Sequence, residues 1–189
     1  MAGQHPSFDA TRAIRFDLAA GAVRATNHDE RLLLVPSSAL DDLILSAPAD
    51  TVDAFGRSLG AAIGRRAAAR LGPEGADGAR SAAIESVITQ LAGEAALAGV
   101  GVLAFERWGR AMVVLVEGSP LPAALLAPLV ASAIEEVAGR AVACTLLARD
   151  ARTARVLVGS DRAVARVRDA IAAGTSWGDA MVMLQGGRS

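Results

Sequence analysis

Few residues in this chain have the types and spacing that chemistry demands: two histidines, a single cysteine, and carboxylates that pair only with their immediate sequence neighbours. His28 stands beside Asp29 and Glu30 in the segment NHDE, and His5 lies near the start. Adjacent residues cannot converge on one ion without ligands from elsewhere in the fold, so NHDE reads as a solvated turn and no metal is assigned. Cys144 sits among Val142, Ala143, Leu146 and Leu147 with no neighbouring histidine to take its proton, which describes a buried, inert thiol. Asp41 with Asp42, and Glu135 with Glu136, project from their helices in different directions. They do not form the facing pair about 5–10 Å apart that glycoside hydrolysis requires.

Glycine patterns are no more chemical. Neither GVGV nor GAAIG follows a strand and leads to a later acidic residue as a dinucleotide site needs, and GPEGADGAR lacks the lysine of a phosphate loop. Arg149, Arg152, Arg155, Arg162, Arg166 and Arg168 crowd the last hairpin and the helix after it, but Asp150, Asp161 and Asp169 are interspersed, as on a mixed solvated surface. Trp108 and Trp177 are the only tryptophans; one lies at a hairpin tip, where it marks either a contact surface or packing onto a neighbouring strand. No catalytic residue and no cofactor is assigned.

Composition sets the frame for these residues. A chain of 189 residues with 52% hydrophobic content can bury a real core within one domain. Nineteen cationic residues, all arginine, balance twenty acidic ones to a net charge of −1, which removes the electrostatic case for nucleic acid or an anionic membrane. The absence of lysine and tyrosine beside abundant Ala, Gly, Arg and Val fits a GC-rich coding bias. The start has no apolar stretch of signal-peptide length, and LPAALLAPLVASAI, from Leu121 to Ile134, is shorter than a membrane span and broken by Pro122 and Pro128. A lone cysteine excludes an intrachain disulfide framework. The expected compartment is the cytoplasm.

Periodicity then supplies the elements. Residues 1–11 read as a polar arm and 12–189 as a single domain. Ile14, Phe16 and Leu18 alternate with polar or small residues as in a half-buried strand, Ala22 to Thr26 can return as a second, and RLLLVP is a third apolar segment; three short strands or one long bulged hairpin fit. PSSALDDLILSAP predicts a short helix capped by Ser37 or Ser38. From Asp50 to Leu71 the period is helical, with Phe55, Leu59, Ile63, Ala67 and Leu71 in one row and Gly56, Gly60, Gly64 and Ala68 beside it. Each interior glycine costs a helix about 1 kcal/mol relative to alanine, so three on one face imply a groove into which a second backbone packs closely.

After the breaker-rich GPEGADG, a long helix is expected from about Ala79 to Ala98, burying Ile84, Val87, Ile88, Leu91 and Ala95 while Glu85, Thr89, Gln90 and Glu94 face mostly outward. A hairpin turning near Trp108 and Gly109 follows, with Met112 to Val116 apolar on both faces and so covered on both sides. Next come a helix from about Leu121 to Ala138, a second hairpin with a polar turn, a helix over Asp161 to Ala173, and a closing short helix with Ser176 and Asp179 as a capping box. Consecutive hairpins among helices make this an α/β chain of the α+β type, a largely antiparallel sheet packed with helices.

Together these landmarks resemble the 4-vinyl-reductase (hydrocarbon-binding) domain family, whose fold is shared with small subunits of TRAPP vesicle-tethering complexes. FDLAAGAVRATNHDERLLLVPSSALDDLI is similar to that family's opening strands and short helix, FGRSLGAAIGRR to its glycine-spaced helix, VVLVEGSP to its strand ending in a Ser-Pro turn, and VAGRAVACTLL to its lead into the last hairpin. Many such domains carry paired cysteines and an acidic residue near that hairpin; here only Cys144 is present, with Leu147 and Arg155 nearby, so their metal or thiol chemistry does not carry over. The resemblance implies a fold that dimerises through its long helices and encloses a small apolar ligand. The partner of Gly56, Gly60 and Gly64 is then another helix, within the subunit or across a two-fold interface.

The expectation is a non-catalytic binding or sensory module acting as a homodimer, with Phe105, Met112, Cys144 and Trp177 as candidate lining residues because they are large or polarisable side chains in apolar segments. The alternative is an adaptor whose core is filled by its own side chains and whose surfaces bind other protein chains. A reductase is implied by the family name alone.

Overall fold

The computed structural model describes residues 7–26, 30–72, 76–109 and 111–186. Near the start of the described residues, Asp9 Oδ1 accepts from the Thr11 amide at 3.0 Å and caps a 3-10 turn over Ala10–Arg12. The alternating stretch beyond it forms β1 (Ile14–Asp17), which pairs antiparallel with β2 (Ala22–Ala25), and β2 pairs with β3 (Glu30–Leu32). Two helices follow, α1 (Ser37–Ser46) and α2 (Ala49–Arg70), each begun by a proline at the position before its first turn, Pro36 and Pro48. The serines predicted to cap α1 lie inside the helix, and no side chain caps it. Leu33, Leu34 and Val35 belong to no strand and stand exposed, so the third apolar segment is paired only at its beginning.

The expected helix from Ala79 to Ala98 is divided into α3 (Ala76–Ser81) and α4 (Ile84–Leu97). Ala83 adopts an extended conformation between them, with φ −61° and ψ 138°. Then come β4 (Val102–Trp108), β5 (Ala111–Glu117), α5 (Ala123–Ala138), β6 (Ala143–Arg149), β7 (Thr153–Gly159), α6 (Asp161–Ala172) and α7 (Trp177–Gly186). Gly139 ends α5 in the left-handed conformation, φ 63°, that a helix stop uses, and its amide donates to the Glu135 carbonyl. The closing helix carries its expected cap, since Ser176 Oγ accepts from the Asp179 amide at 3.2 Å and donates to the Asp179 carboxylate at 2.6 Å.

The two later hairpins make one antiparallel sheet in the order β4-β5-β7-β6. Its register places Phe105, Val114, Val156 and Leu146 in one row across the strands and Met112, Val158 and Cys144 in the next, all on the face that packs against α2, α4 and α5. Val113, Leu157 and Leu147 point to the other face, where Val164 and Val167 of α6 and Ala180 and Met181 of α7 complete a second cluster. Burial on both sides explains why β5 reads as a continuous apolar run: Val113, Val114 and Val116 are each at most 1% exposed. The chain is therefore a single α+β domain, with a four-stranded sheet between two helical layers and a three-stranded sheet at its N-terminal end. Among the described residues no helix is long and apolar enough to cross a membrane.

Candidate functional site

The α2 glycines define how the core closes. α5 lies along the row, and a methyl added at Gly60 would meet the Leu129 backbone, 2.8 Å from its carbonyl carbon and 2.9 Å from its Cα. At Gly64 the same methyl would fall 2.5 Å from the Ala133 carbonyl oxygen, and at Gly56 2.8 Å from Cγ of Pro128. The glycine groove thus holds α5 at backbone contact within this chain. Arg57 with Glu135, at 3.9 Å, and Arg65 with Glu136, at 3.3 Å, run from α2 to α5 beside the groove. The neighbouring glutamates therefore hold separate cations and do not face one another.

Below this helix pair is an apolar void of about 10 Å³. Ile63 of α2, Leu91 and Ala95 of α4, Leu103 and Phe105 of β4, Val114 of β5, and Leu129, Val130, Ala133 and Ile134 of α5 line it. No polar side chain faces the space. It is about as large as one water molecule requires, and it offers none of the two to four polar partners that would hold one.

Only one of the candidate lining residues borders the void. Phe105 does; Met112 and Cys144 share its sheet face and pack into the same cluster one row away. Trp177 stands across the sheet, at the start of α7, where its ring meets Trp108 edge-on with centroids 5.5 Å apart. The Arg155 guanidinium lies 5.4 Å from the Trp177 ring centre, and Trp108 Nε1 donates to Glu106 Oε2 at 3.1 Å. The hairpin-tip tryptophan thus packs onto the last helix.

Burial pushes the Cys144 thiol up to about 12, the Glu135 carboxylate adds to the rise, and Arg57 opposes it. A thiol held so far above its ordinary value stays protonated at neutral pH. Native protein at pH 8 is expected to react with a disulfide reagent about a thousandfold more slowly than the unfolded chain, following the thiolate fraction. Equal labelling rates with and without denaturant would contradict the burial of this side chain. Because the folded value lies above the unfolded one, the thiol's contribution to stability is complete below about pH 9 and fades as pH rises toward 12.

Two of the arginines around the last hairpin are engaged by the fold through their side chains. Arg149 donates to the Leu121 carbonyl at 2.5 Å and the Ser119 carbonyl at 3.2 Å, and Arg155 pairs with Asp150 at 3.6 Å. The amides of Arg152 and Thr153 both donate to Asp150, holding its carboxyl below the usual range. Among the described residues no group of three or more histidine, cysteine or carboxylate side chains could hold a metal ion. His5, His28 and Asp29 lie outside the described residues.

The most strongly buried charge, Glu94, is one that the sequence pattern turned outward. Ser86, Gln90 and Glu94 form a four-residue row on α4 and all are buried, Glu94 completely. Glu94 faces α2, where Arg66 Nε donates to its Oε2 at 2.9 Å and Arg70 Nε donates to its Oε1. Arg66 continues to Glu30 of β3 at 3.1 Å, so one buried cluster joins α4, α2 and the N-terminal sheet. Phe8, from the stretch read as a polar arm, lays its ring against Gly93 of α4, with the Arg70 guanidinium 4.8 Å from the ring centre. The legible signal was the repeat of Arg66 with Arg70 and of Gln90 with Glu94, each at i,i+4 on helices that had to pack together.

No family model matches the chain, and no curated protein matches it. Among solved structures the chain is similar to the phenol-responsive sensory domain of the transcription activator PoxR, in a structure with phenol. The two share 15% identity, with a TM-score of 0.59 over 79% of this chain and 85% of that one. At that identity the likeness is one of fold.

Proposed function

We propose that this chain is a non-catalytic ligand-binding or sensory domain of the cytoplasm, that it takes a small apolar molecule into the void beneath the α2–α5 pair, and that it acts as a homodimer. The observation that carries the reading is the void itself, set between three helices and the sheet with an entirely apolar lining. The chain's fold likeness to a sensory domain seen with phenol supports a ligand-binding role for this architecture. The resemblance of several segments to 4-vinyl-reductase domains points the same way. No polar side chain at the void could pair with a hydroxyl, so the ligand class is hydrocarbon-like. Exposed Phe16, Leu18, Leu33, Leu34 and Leu45 near the N-terminal sheet and α1 support a second copy as the dimer partner.

One observation favours an adaptor that binds other protein chains and holds no ligand. The void, at about 10 Å³, is far smaller than the cavity of about 150 Å³ that accepts benzene in an engineered core. A ligand must therefore enlarge the space by moving a wall. Native mass spectrometry of protein purified from its own host separates the two readings. The expected result is a dimer carrying an added mass below a few hundred daltons on each subunit; a bare dimer or a bare monomer supports the adaptor.

A further inference from the structure

Among the walls of the void, α4 has an aromatic side chain from the N-terminal stretch seated against it. Its rows divide the work: Leu91 and Ala95 face the void, Glu94 faces the arginines of α2, and Gly93 faces Phe8. A methyl on Gly93 would fall inside the Phe8 ring, 2.6 Å from its Cδ1, so only glycine leaves a seat for that ring at this depth. The ring also lies over Arg70 and shields the Arg70–Glu94 pair from water, in the setting where an ion pair is least screened. The capped turn after Asp9 fixes the direction from which Phe8 arrives.

We infer that Phe8 is a releasable strap: seated on Gly93, it holds α4 against α2 and keeps the void closed, and a molecule that enlarges the void unseats it. This rests on the reading of the void as the ligand site. It gives that site an output, because Phe8 directly precedes the turn that leads into β1, and Glu30 of β3 grips the same ion cluster through Arg66. Occupation of the core would then be reported to the N-terminal sheet. By linkage, whatever a ligand does to the seating of Phe8, unseating Phe8 does to the ligand's affinity.

The test compares the wild-type chain with Phe8→Ala and Phe8→Leu. Hydrogen exchange across α4 is expected to be about tenfold faster in Phe8→Ala and intermediate in Phe8→Leu, while α5 keeps its rates, because Phe8 contacts Gly93 of α4 and Arg70 at the end of α2. Unchanged exchange in α4, or equal acceleration in α4 and α5, overturns the strap. Benzene, followed by the methyl resonances of Ile63 and Leu91, is expected to bind Phe8→Ala about tenfold more tightly than wild type, a typical coupling between linked sites. Equal affinity overturns the coupling. Binding to neither protein refutes the ligand reading, and the exchange comparison still decides whether Phe8 holds α4.

Discussion

Gly60→Ala is expected to destabilise the domain by about 3 kcal/mol, lowering its thermal midpoint by roughly 10 °C, even though alanine is the better helix former. Two effects of opposite sign meet at this residue. Removing an interior glycine should stabilise α2 by about 1 kcal/mol through propensity alone. Against that, the new methyl points at the main chain of Leu129, and a backbone inside a helix cannot rotate away as a side-chain tip can. The helices must separate over the whole α2–α5 contact, loosening Ile63, Leu125 and Leu129, each at most 1% exposed. Gly56→Ala is expected to cost less, because the closest atom is the ring edge of Pro128 and the Leu125 carbonyl oxygen lies farther off, at 3.1 Å. Gly64→Ala falls between, with the Ala133 carbonyl oxygen and the Glu136 Cβ both in its way. Thermal or urea unfolding of the three variants checks the order. A Gly60→Ala protein as stable as the parent would show that α5 does not sit in the groove.

The same balance explains what could be read in advance. A row of glycines inside a helix is a local cost with no local benefit, so the sequence alone demands a close neighbour for α2; it cannot say which helix, because contact between Gly60 and Leu129 is made across the fold. Strand pairing in the later hairpins was legible because β5 is apolar from Met112 to Val116 between two turns. The break at Ala82 and Ala83 was not, since neither residue is a helix breaker. Phe8 was hidden in a polar stretch, its seat being a glycine that costs α4 helix propensity and otherwise looks incidental. The buried row of α4 was misassigned for a related reason. Gln90 and Glu94 look like a solvent face until Arg66 and Arg70, 28 and 24 residues from Glu94, are brought opposite. A polar periodicity records only that partners are needed, and water or an arginine pair satisfies it equally well.

That cluster yields the second large effect. Glu94→Gln keeps the shape of the side chain and removes its charge, leaving the guanidinium groups of Arg66 and Arg70 against a neutral amide in a site closed to solvent. The expected cost is about 3–5 kcal/mol, the usual penalty for stranding a buried charge. That figure measures broken compensation and not the worth of the cluster, because desolvating these side chains has already cost much of what their attraction returns. The triple variant Arg66→Met, Arg70→Met, Glu94→Leu distinguishes the two quantities. It removes every charge that would be stranded in the core and leaves Glu30, which is 41% exposed, to be solvated at the surface. Its stability should return to within about 1 kcal/mol of the parent, or exceed it. Urea unfolding of the single and triple variants reads both numbers directly. If the triple variant is as damaged as Glu94→Gln, the cluster is stabilising in its own right, and its ties from α4 to α2 and β3 cannot be replaced by packing.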